Sequence, residues 1–218
     1  LGIDFATALA GFAVIVTAYV IVGGMKGVLY TDSLQGGIMF VAILVLVVLT
    51  YSDSGGITAT HRSLTEMAPL VPEALAAQGH RGWTAIPALG TPWWWTLFSS
   101  LILGVGIGIL ALPQLIVRFM TVGSDRALSR GVPVGAVFLC VIAGGALLTG
   151  ALSNVYFLTH EGQIAIEAAG GNPDSIIPLY ISRAMPSWFG SLFLVTLLAA
   201  AMSTLSSQLH VAGVAIGR

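Results

Sequence analysis

Residues 36–50 read GGIMFVAILVLVVLT, and the fold turns on how that run is taken. A half-buried strand alternates apolar with polar residues, yet from Ile38 to Leu49 both alternating faces are apolar. A membrane β-strand fails the same test, because its lumen-facing positions are polar. The run extends without a charge from Ser33 to Ser52, which matches the roughly 20 residues a helix needs to cross a bilayer. A helix also pairs every backbone amide within its own segment, as hydrocarbon requires.

Working outward, further uncharged tracts run from Phe5 to Met25, Gly82 to Val117, Gly131 to Thr159 and Ala184 to Leu209. The chain of 218 residues is 56% hydrophobic and 8% charged, against about 25% charged residues in soluble domains. Its mean hydropathy is +0.96. These tracts predict an all-α membrane protein with about five transmembrane helices, over approximate spans 5–25, 33–52, 94–117, 132–157 and 188–211. Leu1 in place of Met, and Arg218 directly after a span, lead us to expect a fragment (1–218) of one longer transmembrane domain. No signal peptide is read at the start. Cys140 lies within a predicted span, so no disulfide framework is expected. A net charge of -1 gives no electrostatic case for nucleic-acid binding.

Basic residues in short loops orient the spans. Arg118, Arg126 and Arg130 place the 118–131 loop in the cytoplasm, and alternation then puts Lys26 and Arg218 inside and Arg62, Arg81 and Arg183 outside. Within the long outer connection, EMAPLVPEALAAQG (66–79) predicts a short amphipathic helix between proline turns. Trp83 and Trp93 to Trp95 suit an interfacial aromatic belt, with ligand stacking the alternative. The second outer loop, from His160 to Pro186, is read as a cap on the bundle or a moving lid.

Three stretches carry candidate chemistry. In LLAAAMSTLSSQLHVAG (197–213), helical spacing puts Ala200, Ser203, Thr204 and Ser207 on one side, with Ser206 pointing away from its centre. Hydroxyls and a carbonyl there suit half of a small-cation site. Back-bonding of the hydroxyls with close helix packing is the competing reading. In GVGIGILALPQLIVRF (104–119), Pro113 removes an amide and predicts a kink or break, and broken helices expose polar backbone at midplane in transporters. Leu112, Pro113 and Gln114 are therefore candidates for the substrate site or gate. In GGMKGVLYTDSLQGG (23–37), Asp32 is either a surface charge, solvated or paired with Lys26, or an ion-coupling carboxylate in a watery vestibule, with Gln35 extending the polar strip. His61, His80, His160 and His210 are dispersed, and there is no phosphate-binding loop, so neither an enzyme nor an ATP-driven pump is expected.

In combination, GGMKGVLYTDSLQGG, ALPQLIVRFMTVGSDRALSRG (111–131) and LLAAAMSTLSSQL (197–209) resemble the sodium:solute symporter family, in particular its prokaryotic proline, pantothenate and monocarboxylate branches. The resemblance implies part of an inverted-repeat sodium-coupled transporter core, holding core helices four through eight. It implies that Ala200, Ser203 and Thr204 contribute to a sodium site completed by a helix outside this chain. It also implies symport of a small organic solute such as a carboxylate or amino acid, with Na⁺ as coupling ion and no other cofactor. The expected surroundings are the remaining transmembrane helices and the lipid of a prokaryotic plasma membrane, crossed several times. Relatives commonly carry Pro-His where this chain has Pro113-Gln114, which weakens an anionic-substrate reading. A passive channel and a packing module without a bound ion are the alternatives.

Overall fold

The computed structural model describes residues 4–217; Arg218, counted above among the inner basic residues, lies outside them. All regular structure among the described residues is helical. The first element, α1, runs Phe5–Asp53, and its N-terminal amides are met by the Asp4 carboxylate, which accepts from the Ala6 N–H. At 49 residues it would measure about 74 Å if straight, more than twice a bilayer's ~30 Å hydrocarbon core. It is not straight. Gly24 breaks it at φ 52°, ψ −156°, a conformation that a side chain disfavours. Val16 and Val20 before the break share a buried cluster with Val28 after it, so both arms lie against one partner helix.

A turn through Gly55 and Gly56, both at positive φ, leads into α2 (Ile57–Glu66). This is the amphipathic helix of the outer connection, and it lies upstream of the predicted position. Residues 66–79 instead form a 3₁₀ turn at Ala68–Leu70 and the single turn α3 (Glu73–Ala76), because Pro69 and Pro72 each withhold an amide. Leu64 of α2 and Met67 bury against Leu152, Val155 and Ile164.

The next apolar segment begins with α4 (Pro92–Trp95), started by Pro92 and capped by the Thr91 hydroxyl. It continues as π-helix through Thr96–Val105 and ends in α5 (Gly106–Leu110). Leu112 is extended at ψ 123°, and Pro113 opens α6 (Pro113–Met120), where its missing amide costs nothing. The chain thus breaks where proline was expected to break it. From Ser99 to Leu110 every side chain is exposed.

Ser124 caps α7 (Asp125–Glu161), a long helix containing Pro133 and closed by Gly162 at φ 72°. The outer loop then forms α8 (Ala165–Ala168), a 3₁₀ turn and α9 (Ile176–Ala184). The final element, α10, spans Ser187–Ile216. Tyr180 of α9 is fully buried with Phe157, Phe189 and Leu46, and its phenol donates to Thr50 Oγ1 at 3.0 Å. The connection from 160 to 186 is therefore packed against the bundle.

Among the described residues, four helical stretches are long and apolar enough to cross a membrane: Ala6–Asp53, Pro92–Leu110, Asp125–Glu161 and Ser187–Ile216. Their outward faces carry large aliphatic side chains such as Val14, Val22, Val48, Leu139 and Leu194, as lipid contact demands. In such surroundings packing and hydrogen bonds, more than water exclusion, hold helix to helix.

Candidate functional site

Asp32 is placed one turn before buried Gln35 on the second arm of α1, facing α10. An acidic side chain inside a spanning helix needs a partner, and Arg118 of α6 supplies it. The Arg118 guanidinium donates to Asp32 Oδ2 and also to Ser207 Oγ. Ser206 Oγ stands 3.4 Å from Asp32 Oδ1, and Ser207 Oγ stands 3.4 Å from Oδ2. The carboxylate is only 10% exposed, so three elements meet at one ion pair. Lys26, the partner considered for Asp32 from sequence, forms no ion pair among the described residues.

The hydroxyl row of α10 divides into two sets. Ser206 and Ser207 are buried, and each comes within hydrogen-bonding distance of the Ser203 carbonyl, at 3.0 and 2.8 Å. A hydroxyl has a single proton, so each serine gives it either to that carbonyl or to Asp32. Ser206 lies off the face of Ala200, Ser203 and Thr204, as its helical angle suggested, and its own face meets Asp32. It is at 0% exposure beside Asp32, on the part of α10 that packs Met202, Leu205 and Leu209 against α1.

Thr204 is exposed and donates to the Ala200 carbonyl at 3.0 Å, the back-bonded arrangement. That bond uses the hydroxyl proton and leaves lone pairs on the Thr204 oxygen, while the Ala200 carbonyl accepts both this bond and the helical amide of Thr204. With the half-buried Ser203 alongside, this edge of α10 offers neutral oxygen donors, the ligand type hard cations take. Ser203 joins the two sets, since its carbonyl serves the Asp32 cluster while its side chain belongs to the outer edge.

Gln114 sits a turn before Arg118 on α6, in a narrow crevice with Met25, Val28, Ser207 and His210. Leu112 and Pro113 are exposed at the break. The structure therefore brings Gln114 to the Arg118 and Ser207 side of the cluster rather than to Ala200 and Thr204. Sequence reasoning missed Arg118 as a site residue, having used it only to orient a loop. The signal was present: an intramembrane carboxylate calls for a cation, and Arg118 follows the one proline break that returns a charge to the bundle. Among the described residues no group of three or more His, Cys, Asp or Glu is arranged to hold a metal.

The end of the bundle away from Asp32 has its own polar contacts. His61 Nε2 lies 2.8 Å from the Tyr51 hydroxyl, and Arg183 pairs with Glu161 at 2.5 Å. His80 packs between Trp83 and Trp93, at 5.8 and 5.6 Å between ring centroids, while its Nδ1 accepts from the Gly82 N–H. Burial lowers the His80 pKa below the usual imidazole value. Two of the tryptophans considered for the interface are thus organised around a loop histidine.

Residues 1–218 match the Sodium:solute symporter family over their whole length. The chain belongs to this family. It is 29% identical over 209 residues to a sodium/pantothenate symporter of Haemophilus influenzae, covering 96% of this chain and 39% of that protein. It is 28% identical over 211 residues to the high-affinity proline transporter PutP of Bacillus subtilis, covering 97% and 40%. A sodium/sialic acid symporter, SiaT of Proteus mirabilis, is 23% identical over 219 residues, covering 96% and 40%. The chain spans about two fifths of the length of these relatives. No solved structure matches it significantly. The branch within the family is unassigned at these identities.

Proposed function

We propose that the parent protein is a symporter that couples inward Na⁺ movement to uptake of a small carboxylate or amino acid by alternating access. The observation that carries this reading is the open edge of α10, where Ala200 and Thr204 are joined at 3.0 Å beside Ser203, in a chain that matches the symporter family throughout. Ala200, Ser203 and Thr204 then form one half of a sodium site, and the exposure of Thr204 leaves room for ligands from elsewhere in the parent. Asp32 is the ion-coupling carboxylate, engaged with Arg118 when no cation claims it. Leu112, Pro113 and Gln114 form the gate, where the helix break gives α6 freedom to move relative to α5.

In this reading α1 crosses the bilayer twice, with its turn at Gly24, giving five crossings; the end bearing Lys26, Arg118, Arg126 and Arg130 is cytoplasmic, in a prokaryotic plasma membrane. The exposed surface of the 99–110 segment is where remaining helices of the parent pack.

The test is uptake by the purified parent in proteoliposomes, with sodium titrations of solute binding in parallel. Accumulation should require an inward sodium gradient. Ser203→Ala and Thr204→Val should each weaken apparent sodium affinity by roughly tenfold or more, and solute affinity with it through reciprocal coupling. Accumulation without sodium or a proton gradient would overturn symport. Unchanged sodium affinity in both folded variants would remove the direct-ligand assignment.

A further inference from the structure

A cleft of about 920 Å³ lies between the second arm of α1 and the first half of α7, beside the Asp32–Arg118 pair. The two helices run parallel here. Phe40 stacks on Phe138 at 5.9 Å, and farther along Gly145 approaches Ile43 and Val47. The cleft owes its width to glycine: side chains added at Gly37, Gly131 or Gly135 would meet nothing within 4 Å. Its wall is apolar apart from Asp32, Ser33 and Arg118, and the stacked phenylalanines mark its inner end.

The other end is basic. Helical spacing continues the lining stripe of α1, through Phe40, Gly37, Ser33 and Leu29, to Lys26. On α7 the stripe through Val137 and Val134 continues to Arg130 and Arg126. At ~1.5 Å per residue, Arg130 and Arg126 lie about 12 and 18 Å below Phe138, and Lys26 about 21 Å below Phe40. These depths bracket the ~15 Å hydrocarbon thickness of one leaflet. All three cations are exposed, and none forms an ion pair among the described residues. Asp32, the acid in the cleft wall, is already engaged by Arg118.

We propose that this cleft binds an anionic glycerophospholipid of the adjoining leaflet, with an acyl chain lying along the glycine-lined wall and the phosphate held by Lys26, Arg126 and Arg130. Basic pockets between spanning helices suit such headgroups, and an apolar channel with a cationic mouth matches both ends of the molecule. A helix from the rest of the parent would fill the apolar wall and leave the three cations without counter-charge.

The experiment is native mass spectrometry of the intact parent transporter, purified and exposed to equal amounts of phosphatidylglycerol and phosphatidylcholine. Phosphatidylglycerol should be retained at least tenfold more than phosphatidylcholine. Arg126→Gln with Arg130→Gln should abolish that preference. Gly37→Leu with Gly135→Leu, which fills the cleft and keeps the cations, should lower phosphatidylglycerol retention several-fold. Lys26→Gln should reduce the preference in the same sense, and it gives the answer if the arginine pair impairs folding. Equal retention of the two lipids by the parent, or phosphatidylglycerol retention indifferent to cleft filling, overturns the proposal. Lipid retention is read without transport, so its failure is separate from that of the symport reading.

Discussion

At the scale of single residues, the ion pair of Asp32 with Arg118 has the largest local consequence. Both groups leave water for a site with two serine hydroxyls as their other polar neighbours, so removal of either charge strands the other. Arg118 retains 31% exposure and can hydrate in part, so we expect Asp32→Asn or Arg118→Gln alone to cost about 2–3 kcal/mol, below the range for fully buried pairs. The double substitution should cost less than the sum of the singles by about 1 kcal/mol or more. Chemical denaturation of the four proteins in detergent measures this cycle, and additive losses would show that the two side chains act separately. Sodium activation of Asp32→Asn, measured alongside, reports on the proposed coupling role.

At the scale of elements, the break in α1 governs how its two arms reach α10. Gly24 holds φ 52° with ψ −156°, where a Cβ costs about 1–3 kcal/mol, while neighbouring Gly23 carries no such backbone demand. Gly24→Ala should therefore lower stability by that amount, and Gly23→Ala should leave it nearly unchanged. Thermal unfolding of the parent with each substitution makes the comparison. Equal effects would mean that the glycines serve packing and not the turn. The Pro113 break differs, because it follows from a missing amide and was readable without the fold.

At the scale of the molecule, the packing around α9 unites segments far apart in the chain. Tyr180 joins α9 to α1 through Thr50 and packs against Phe157 of α7 and Phe189 of α10. Burial pushes its phenol up to about 12 from the ordinary value of 10.0. The folded chain thus holds this proton where the unfolded chain releases it. The stabilisation is complete below pH 10 and is lost as pH rises through about 12. We expect thermal midpoints of the parent to fall over that interval, and to fall less for Tyr180→Phe. Tyr180→Phe should also lose about 1 kcal/mol at neutral pH with the Thr50 hydrogen bond. An identical alkaline decline in both proteins would place its cause elsewhere.

The sequence by itself determined the all-helical membrane class, the break at Pro113 and the family, because charge-free length, a missing amide and ordered motifs are local properties of the chain. It also placed Ala200, Ser203 and Thr204 on one edge of a helix, which periodicity alone supplies. Periodicity does not say which face of α10 meets another helix, so the buried position of Ser206 and the junction of Asp32, Arg118 and Ser207 were decided only in the tertiary structure. The same holds for α2, whose apolar face is defined by Leu152 and Val155 on α7. Contacts between α1, α6 and α10 join residues more than eighty positions apart, and the physical reason they form is mutual: a buried carboxylate and two buried hydroxyls have little water, and with a partly exposed guanidinium they satisfy one another.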